Sequence, residues 1–301
     1  MRKNKLIWFK NWNSQNIKHL IRVKRIFHKF SRFQKIEIYK SNLFGKILTL
    51  DNEIQICEKF NSYVHESLIH PVVLSMEKIK EVLVIGGGDG FSLGELIKYP
   101  YIQRIDLVEI DKDVVNICRK YFPEVKKYFN DKRVRLYFND GFDYVKDTHN
   151  KYDLIVLDIS DPKNFALKIF SKEFILNLKR IMKEKSAIVT HCESPDSAGE
   201  VYYRIIQTYK SVFKIVRPYR IWIPHYVDFW GRLIASDIVD PLKFSEKDIE
   251  IKIKTLKINL KWLNSMLFYS IFRSFSNDIL ENLNKNWGVI HERDKYLFSK
   301  L

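Results

Sequence analysis

Glu81-Val82-Leu83-Val84-Ile85-Gly86-Gly87-Gly88-Asp89-Gly90 decides the fold of this 301-residue chain. Branched apolar residues run straight into three glycines, an aspartate and a fourth glycine. Phe91-Ser92-Leu93-Gly94-Glu95-Leu96-Ile97-Lys98-Tyr99 follows, with apolar residues at helical spacing. This pattern predicts a buried parallel strand, a tight turn and a helix, the opening unit of a nucleotide-binding α/β sheet. Glycine lets the backbone turn sharply and lets a ligand approach it closely.

Downstream the alternation repeats. Strands are expected at 104–110, 134–139, 154–158, 187–191, 215–223 and 232–236, with helices at 112–121, from 142, at 172–182 and at 199–212. The fold class is α/β: a doubly wound, Rossmann-like sheet with ligands at the carboxyl ends of its strands. The tail from 245 to 301 reads as helical and covers one edge. Upstream, period-two runs at 34–39, 45–50 and 53–57 predict a small N-terminal antiparallel β domain. A helix is expected over 15–30, and another over 63–75, capped by Ser62. The division expected is 1–76 for a basic arm, β domain and connecting helix, and 77–301 for the Rossmann-like domain with its tail.

The apolar fraction of 46% marks a globular protein. No apolar run approaches the ~20 residues of a membrane-spanning helix. The basic N-terminus lacks the apolar core of a signal peptide. Cys57, Cys118 and Cys192 neither pair off nor match zinc spacing, so a metal-free, cytoplasmic protein is expected. The formal charge is +16, and residues 1–40 hold twelve Lys or Arg against the single acid Glu37. Such an arm suits nucleic acid or an anionic surface, but a solvated basic face is the favoured reading. Positive charge repels a cationic substrate, so any such substrate needs a locally acidic pocket.

Glu109 ends the second expected strand, about twenty residues past the glycine turn, where an acid accepts hydrogen bonds from ribose hydroxyls. Asp111 is the better helix cap. No lysine follows the glycines as a phosphate-binding loop requires, so the ligand expected is an adenosine derivative such as an S-adenosyl sulfonium. Asp140-Gly141 ends the third strand and suits the adenine edge, unless it is a plain turn. Asp158-Ile159-Ser160-Asp161-Pro162 ends the fourth, on the same rim as Asp89. Unpaired acids gathered there expect a cation, the alternative being an N-cap and a solvated acid. These parts suggest amine alkylation. An alkyl ammonium has a pKa near 10.4, so holding the amine neutral at pH 7 costs roughly 4–5 kcal/mol. A carboxylate at the site takes the proton as the amine advances. Asp158 is the expected base, and Asp89 and Asp161 the cation holders.

At this point the sequence resembles the polyamine aminopropyltransferases, the spermidine synthase family, over nearly all residues after Phe33. The landmarks are Phe44-Gly45-Lys46-Ile47-Leu48, Gln55, Glu58, His65-Glu66 with His70-Pro71, Gly86–Gly90, Glu109, Asp140-Gly141 and Asp158-x-x-Asp161-Pro162. The segment Ile223-Pro224-His225-Tyr226-Val227-Asp228-Phe229-Trp230-Gly231 is more similar to the thermospermine synthase and agmatine or triamine aminopropyltransferase branch. The resemblance implies aminopropyl transfer from decarboxylated S-adenosylmethionine, a co-substrate and not a resident cofactor, to putrescine, agmatine or a polyamine. Methylthioadenosine is released, and the resemblance also implies a small N-terminal β domain on a methyltransferase-like Rossmann fold, assembled as a homodimer or homotetramer. It assigns Gln34, Gly86, Gly88, Glu109, Asp140 and Gly141 to the donor. His65, Asp89, Asp161, Gln55 and Tyr226 fall to the amine, with Asp158 as proton acceptor.

The sequence also departs from the family. Phe60, Asn61 and Val64 stand where two acids and a tyrosine are usual, and Tyr63 is one position off. His191 replaces a common glutamine, Phe165 a proline, and Phe91 a small residue. The alternatives are a methyltransferase using intact S-adenosylmethionine, whose α-carboxylate Asp89 would repel, and a non-catalytic binding homologue.

Overall fold

The computed structural model describes residues 6–12, 18–159 and 168–294. Two sheets are present. The first is antiparallel, in the order β1-β2-β3-β4-β5, from Ile7–Trp12, Lys18–Phe30, Lys35–Ser41, Gly45–Leu50 and Glu53–Cys57. The helix expected over 15–30 is not formed: Lys18–Phe30 is strand β2, paired with β1 and β3, and 13–17 lie outside the described residues. The reason is a register shift between Arg25 and Phe27. Ile21 and Val23 share one face with Tyr39, and past the bulge Phe27 turns to the other face, against the core that holds Ile36 and Ile38, so the apolar positions do not keep a strict period of two.

Helix α1 (Asn61–Leu74) packs between the two sheets and is buried from Val64 to Leu74. Ser62 does not cap it. A 3-10 turn at Glu58–Phe60 feeds the helix, and no side chain caps its start.

The second sheet has seven strands in the order β11-β12-β10-β9-β6-β7-β8. Strands β6 (Glu81–Gly86), β7 (Arg104–Glu109), β8 (Val134–Phe138), β9 (Tyr152–Asp158) and β10 (Met182–His191) run parallel. Strands β11 (Ile215–Ile223) and β12 (Asp228–Ser236) close the edge antiparallel. Near-continuous apolar strands such as Val82–Ile85 and Leu154–Leu157 are buried because helices cover both faces. Those helices are α2 (Phe91–Leu96), α3 (Lys112–Tyr121), α4 (Val125–Phe129), α5 (Gly141–Asp147), α6 (Lys172–Arg180) and α7 (Gly199–Lys210). The short α4 has no counterpart in the sequence reading. Chain order reverses between β6 and β9, and a crevice opens there at the carboxyl ends.

The tail forms α8 (Glu246–Leu256), α9 (Ser265–Ile271) and α10 (Asn277–Asn284), packed in turn on α1, on β11 and on α7. Buried Glu66 on α1 stitches it down, accepting the backbone N–H of Lys261, Trp262 and Leu263 at 2.8, 2.8 and 3.0 Å. No helix among the described residues is long and apolar enough to cross a membrane.

Candidate active site

A cavity of about 790 Å³ occupies the crevice between the two sheets. Its floor is the glycine turn. Gly86 sits at φ +80°, and a Cβ there would collide with the Asp158 backbone carbonyl, which accepts the Gly87 N–H at 2.7 Å. At Gly88 a Cβ would meet Glu109 Oε2 at 2.6 Å. Glycine is thus required where β6, β7 and β9 converge.

On one side lie Gln34, Glu109, Asp140 and Gly141. Glu109 accepts the N–H of Gly88 at 3.0 Å and of Asp111 at 2.8 Å. Burial outweighs those bonds and pushes its carboxyl up to about 7. Asp111 caps α3, as expected, through Asp113 N–H at 3.0 Å, and also binds Gln34 Nε2 at 3.0 Å and Ser31 Oγ at 2.6 Å. The first sheet is thereby tied to the glycine-turn side of the second. Asp140 lines the cavity and caps α5 as well, accepting Phe142 N–H at 2.7 Å.

On the other side lie Gln55, Val64, His65, Asp89, Asp158, His191, Tyr226 and Trp230. His65, Asp89 and Asp158 each bring one ring nitrogen or carboxylate oxygen together, all within 4.8 Å of one another. That spacing suits an ammonium group seated among them at hydrogen-bond distance. Asp89 Oδ1 accepts Phe91 N–H at 2.8 Å and lies 3.7 Å from His65 Nε2. Asp158 accepts Ser92 Oγ–H at 2.6 Å on one oxygen and His191 Nε2–H at 3.3 Å on the other. Burial opposes charge on Asp158, but His191, the charge of His65 and the Ser92 hydroxyl bring its carboxyl down to about 2. His65 is pulled two ways: burial disfavours its charged form, and Asp89 and Asp158 overcome this and raise it. His191 moves the other way, lowered by burial and by the buried Arg232 guanidinium. His225, buried without an acid beside it, is pushed down to about 3.

Asp161 and Phe165 lie outside the described residues. Phe91 does not plug the cavity: it turns into the core against His65 and Phe122, with centroids 5.5 and 5.7 Å apart. Tyr63 packs on Phe60 and Trp262 at 5.7 and 5.9 Å and does not line the cavity. Tyr226 does line it, tilted against Trp230 with ring centroids 4.9 Å apart and its hydroxyl donating to Gln55 O at 3.3 Å. His70 serves the scaffold instead, bonded to Tyr99 and Glu95 at 2.6 and 2.7 Å. Sequence reasoning missed Ser92. Its signal was a hydroxyl two residues past Gly90, on the rim shared by Asp89 and Asp158.

Residues 61–239 match the model of the spermine/spermidine synthase domain, and 7–58 that of the spermidine synthase tetramerisation domain. A polyamine aminopropyltransferase of Alkaliphilus metalliredigens is 34% identical over 284 residues, covering 92% of this chain and 99% of its own. One from Methanocaldococcus jannaschii is 35% identical over 254 residues, 83% of this chain and 87% of its own. A crystal structure of spermidine synthase with the transition-state analogue AdoDATO superposes at TM-score 0.87 and 26% identity, covering 94% of this chain and 98% of that one. Spermidine synthase from Thermotoga maritima does so at 0.84 and 25%, covering 94% and 97%. With the glycine turn, Glu109 and the Asp89–Asp158 pair on one crevice, and with relatives matched almost end to end, the chain belongs to the spermine/spermidine synthase family of polyamine aminopropyltransferases.

Proposed function

We propose that the protein transfers an aminopropyl group from decarboxylated S-adenosylmethionine to a primary amine, putrescine, agmatine or a polyamine, releasing methylthioadenosine. The observation that carries this reading is the convergence of Asp89, Asp158 and His65 within 4.8 Å, in the same cavity as Glu109. Glu109 takes the ribose hydroxyls, Gln34 and Asp140-Gly141 the rest of the adenosyl group. Asp89 and Asp158 hold the acceptor's ammonium, with Asp161 as a further cation holder and Gln55 and Tyr226 along its chain. Asp158 is the base: it accepts a hydrogen bond from the attacking nitrogen and takes its proton as the lone pair advances. The nitrogen lone pair then displaces the thioether in line, and much of the rate comes from that alignment.

Asp89 favours the decarboxylated donor over intact S-adenosylmethionine, whose carboxylate it would repel at close range. A homo-oligomer built through the first sheet is supported by the tetramerisation-domain match over 7–58 and by exposed Trp8, Leu20 and Phe30. The test is an assay of purified protein with decarboxylated and intact S-adenosylmethionine against diamines, agmatine and triamines, products resolved by mass. Aminopropylated product from the decarboxylated donor alone is expected. Methylated product, or methylthioadenosine binding without any turnover, would overturn the reading.

A further inference from the structure

We propose that Asp111 is a positioning residue for the donor. Through one carboxylate oxygen it latches the 31–34 turn of the first sheet over the cavity and fixes which end of the Gln34 amide meets the adenosyl group. This rests on the functional reading above and supplies what that reading leaves open: how a residue of the first sheet is held against a ligand seated on the second.

Asp111 is 2% exposed and divides its carboxylate between two tasks. Oδ1 caps α3 by accepting Asp113 N–H at 3.0 Å. Oδ2 reaches across to the first sheet, accepting Ser31 Oγ–H at 2.6 Å and Gln34 Nε2–H at 3.0 Å from residues 80 and 77 positions away. A helix cap needs only the first oxygen, so the second pair of bonds serves something else.

The turn that receives them is well braced. Ser31 Oγ also accepts the N–H of Phe33 and of Gln34 at 3.1 Å each, and Ser31 N–H donates to Gln34 O at 2.9 Å. Two further contacts run along the same seam between β2 and α3. Lys29 Nζ lies 2.7 Å from Asp113 Oδ1, and the rings of Phe27 and Tyr121 are 5.2 Å apart. On its other side, Asp111 donates its own N–H to Glu109 Oε1 at 2.8 Å. One residue therefore touches both Gln34 and Glu109, two cavity-lining groups contributed by different sheets.

Chemistry sets the direction of the Gln34 amide. A carboxylate only accepts, so the atom facing Asp111 is Nε2. Oε1 is left for the cavity that Gln34 lines, and among the described residues no hydrogen bond occupies it. An adenosyl group carries hydrogen on its ribose hydroxyls and its exocyclic amine, and a bare carbonyl oxygen can accept from either. With the amide reversed, an N–H would confront that group and the hydrogen bond would be lost.

The test uses the full chain with methylthioadenosine as the probe. Asp111→Asn keeps an oxygen for the α3 cap and puts an N–H donor in place of the latching oxygen. That donor draws Gln34 Oε1 toward itself and turns Nε2 to the cavity, and calorimetry should show about 10-fold weaker binding. Asp111→Ala should weaken binding as much and also lower the melting temperature, because it removes the cap that Asp111→Asn retains. Gln34→Ala should weaken binding by a similar factor. Adding Asp111→Asn to it should cost less than about 2-fold more, since the latch then has nothing to hold. In turnover the loss should appear in the donor's KM more than in kcat. Losses that multiply in the double variant would overturn the latch, as would affinity that follows the melting temperature and leaves Asp111→Asn at the wild-type value. Failure of wild type to bind methylthioadenosine would instead strike the functional reading.

Discussion

Replacing Glu109 by Gln tests the donor side, and the structure sets the size of the effect. The Glu109 carboxyl is raised to about 7 from an ordinary 4.5, chiefly by burial. Charging it in the fold therefore costs roughly 3 kcal/mol more than in the unfolded chain. The sign follows: this carboxyl makes its most favourable contribution to folding below the unfolded pKa, and loses it as pH rises from about 4.5 through about 7. A ribose that donates two hydroxyl hydrogens demands the ionised form, so ligand binding draws the proton off. For a group titrating near 7, methylthioadenosine should bind ~10-fold tighter at pH 8 than at pH 6, a difference of about 1.4 kcal/mol. Calorimetry at three pH values, in buffers of different ionisation enthalpy, reads both the affinity and close to one proton released per ligand at the acid end.

In Glu109→Gln the slope should vanish. Affinity should fall about 10²-fold or more, because the Gln amide confronts the Gly88 or Asp111 N–H with a second donor and cannot serve both hydroxyls. The variant should also lose the fall in stability between pH 5 and 8 that wild type shows. Wild-type affinity flat from pH 6 to 8, or the same slope in the variant, would refute ribose binding by Glu109.

Three further outcomes are expected. Asp158→Asn should lower kcat by ~10²–10⁴ with methylthioadenosine affinity within a few-fold of wild type, read by single-turnover kinetics and calorimetry; normal turnover would remove Asp158 from the attacking nitrogen. Glu66→Ala should cost about 3 kcal/mol or more in urea unfolding, since three backbone N–H groups lose their acceptor, and proteolysis should find the tail after Leu256. Gly86→Ala should destabilise by ~2 kcal/mol or more and abolish turnover, because its Cβ drives the Asp158 carbonyl away. Gly288→Ala, at similar φ but in open space, should cost only about 1 kcal/mol and leave activity intact.

What was legible in the sequence follows from what is local. The glycine turn, most of the parallel strands and Asp111 as the cap of α3 each depend on a few neighbouring residues and were found within a residue or two; β10 was not, since it starts at Met182 and not at 187. Strand β2 was misread because a bulge is a two-strand property: the advance at Phe27 exists only against β3. The start of α1 was misplaced because Ser62 is a good cap in isolation, while the 3-10 turn before it depends on the end of β5. At the site, Asp89, Asp158 and Glu109 were legible because strand ends on a parallel sheet share one rim. Ser92 was not, because it is placed by a partner 66 residues away, Asp158.

The formal charge of +16 sits oddly beside a cationic substrate, and distance resolves the tension. Charges beyond ~8–10 Å are screened at physiological salt, whereas a pair at about 4 Å still interacts by ~4 kcal/mol at the effective dielectric of a protein surface. Asp89 and Asp158, close together in the cavity, therefore outweigh the positive charge spread over the rest of the chain. The same short range shapes the chemistry. An ammonium between two carboxylates is well paired, and removing its proton to bulk water would leave those carboxylates facing each other unpaired. In the proposed mechanism the proton passes instead to Asp158, inside the same 4.8 Å cluster, so that one of the two facing acids is neutral as the nitrogen becomes a nucleophile and no unpaired charge is left behind.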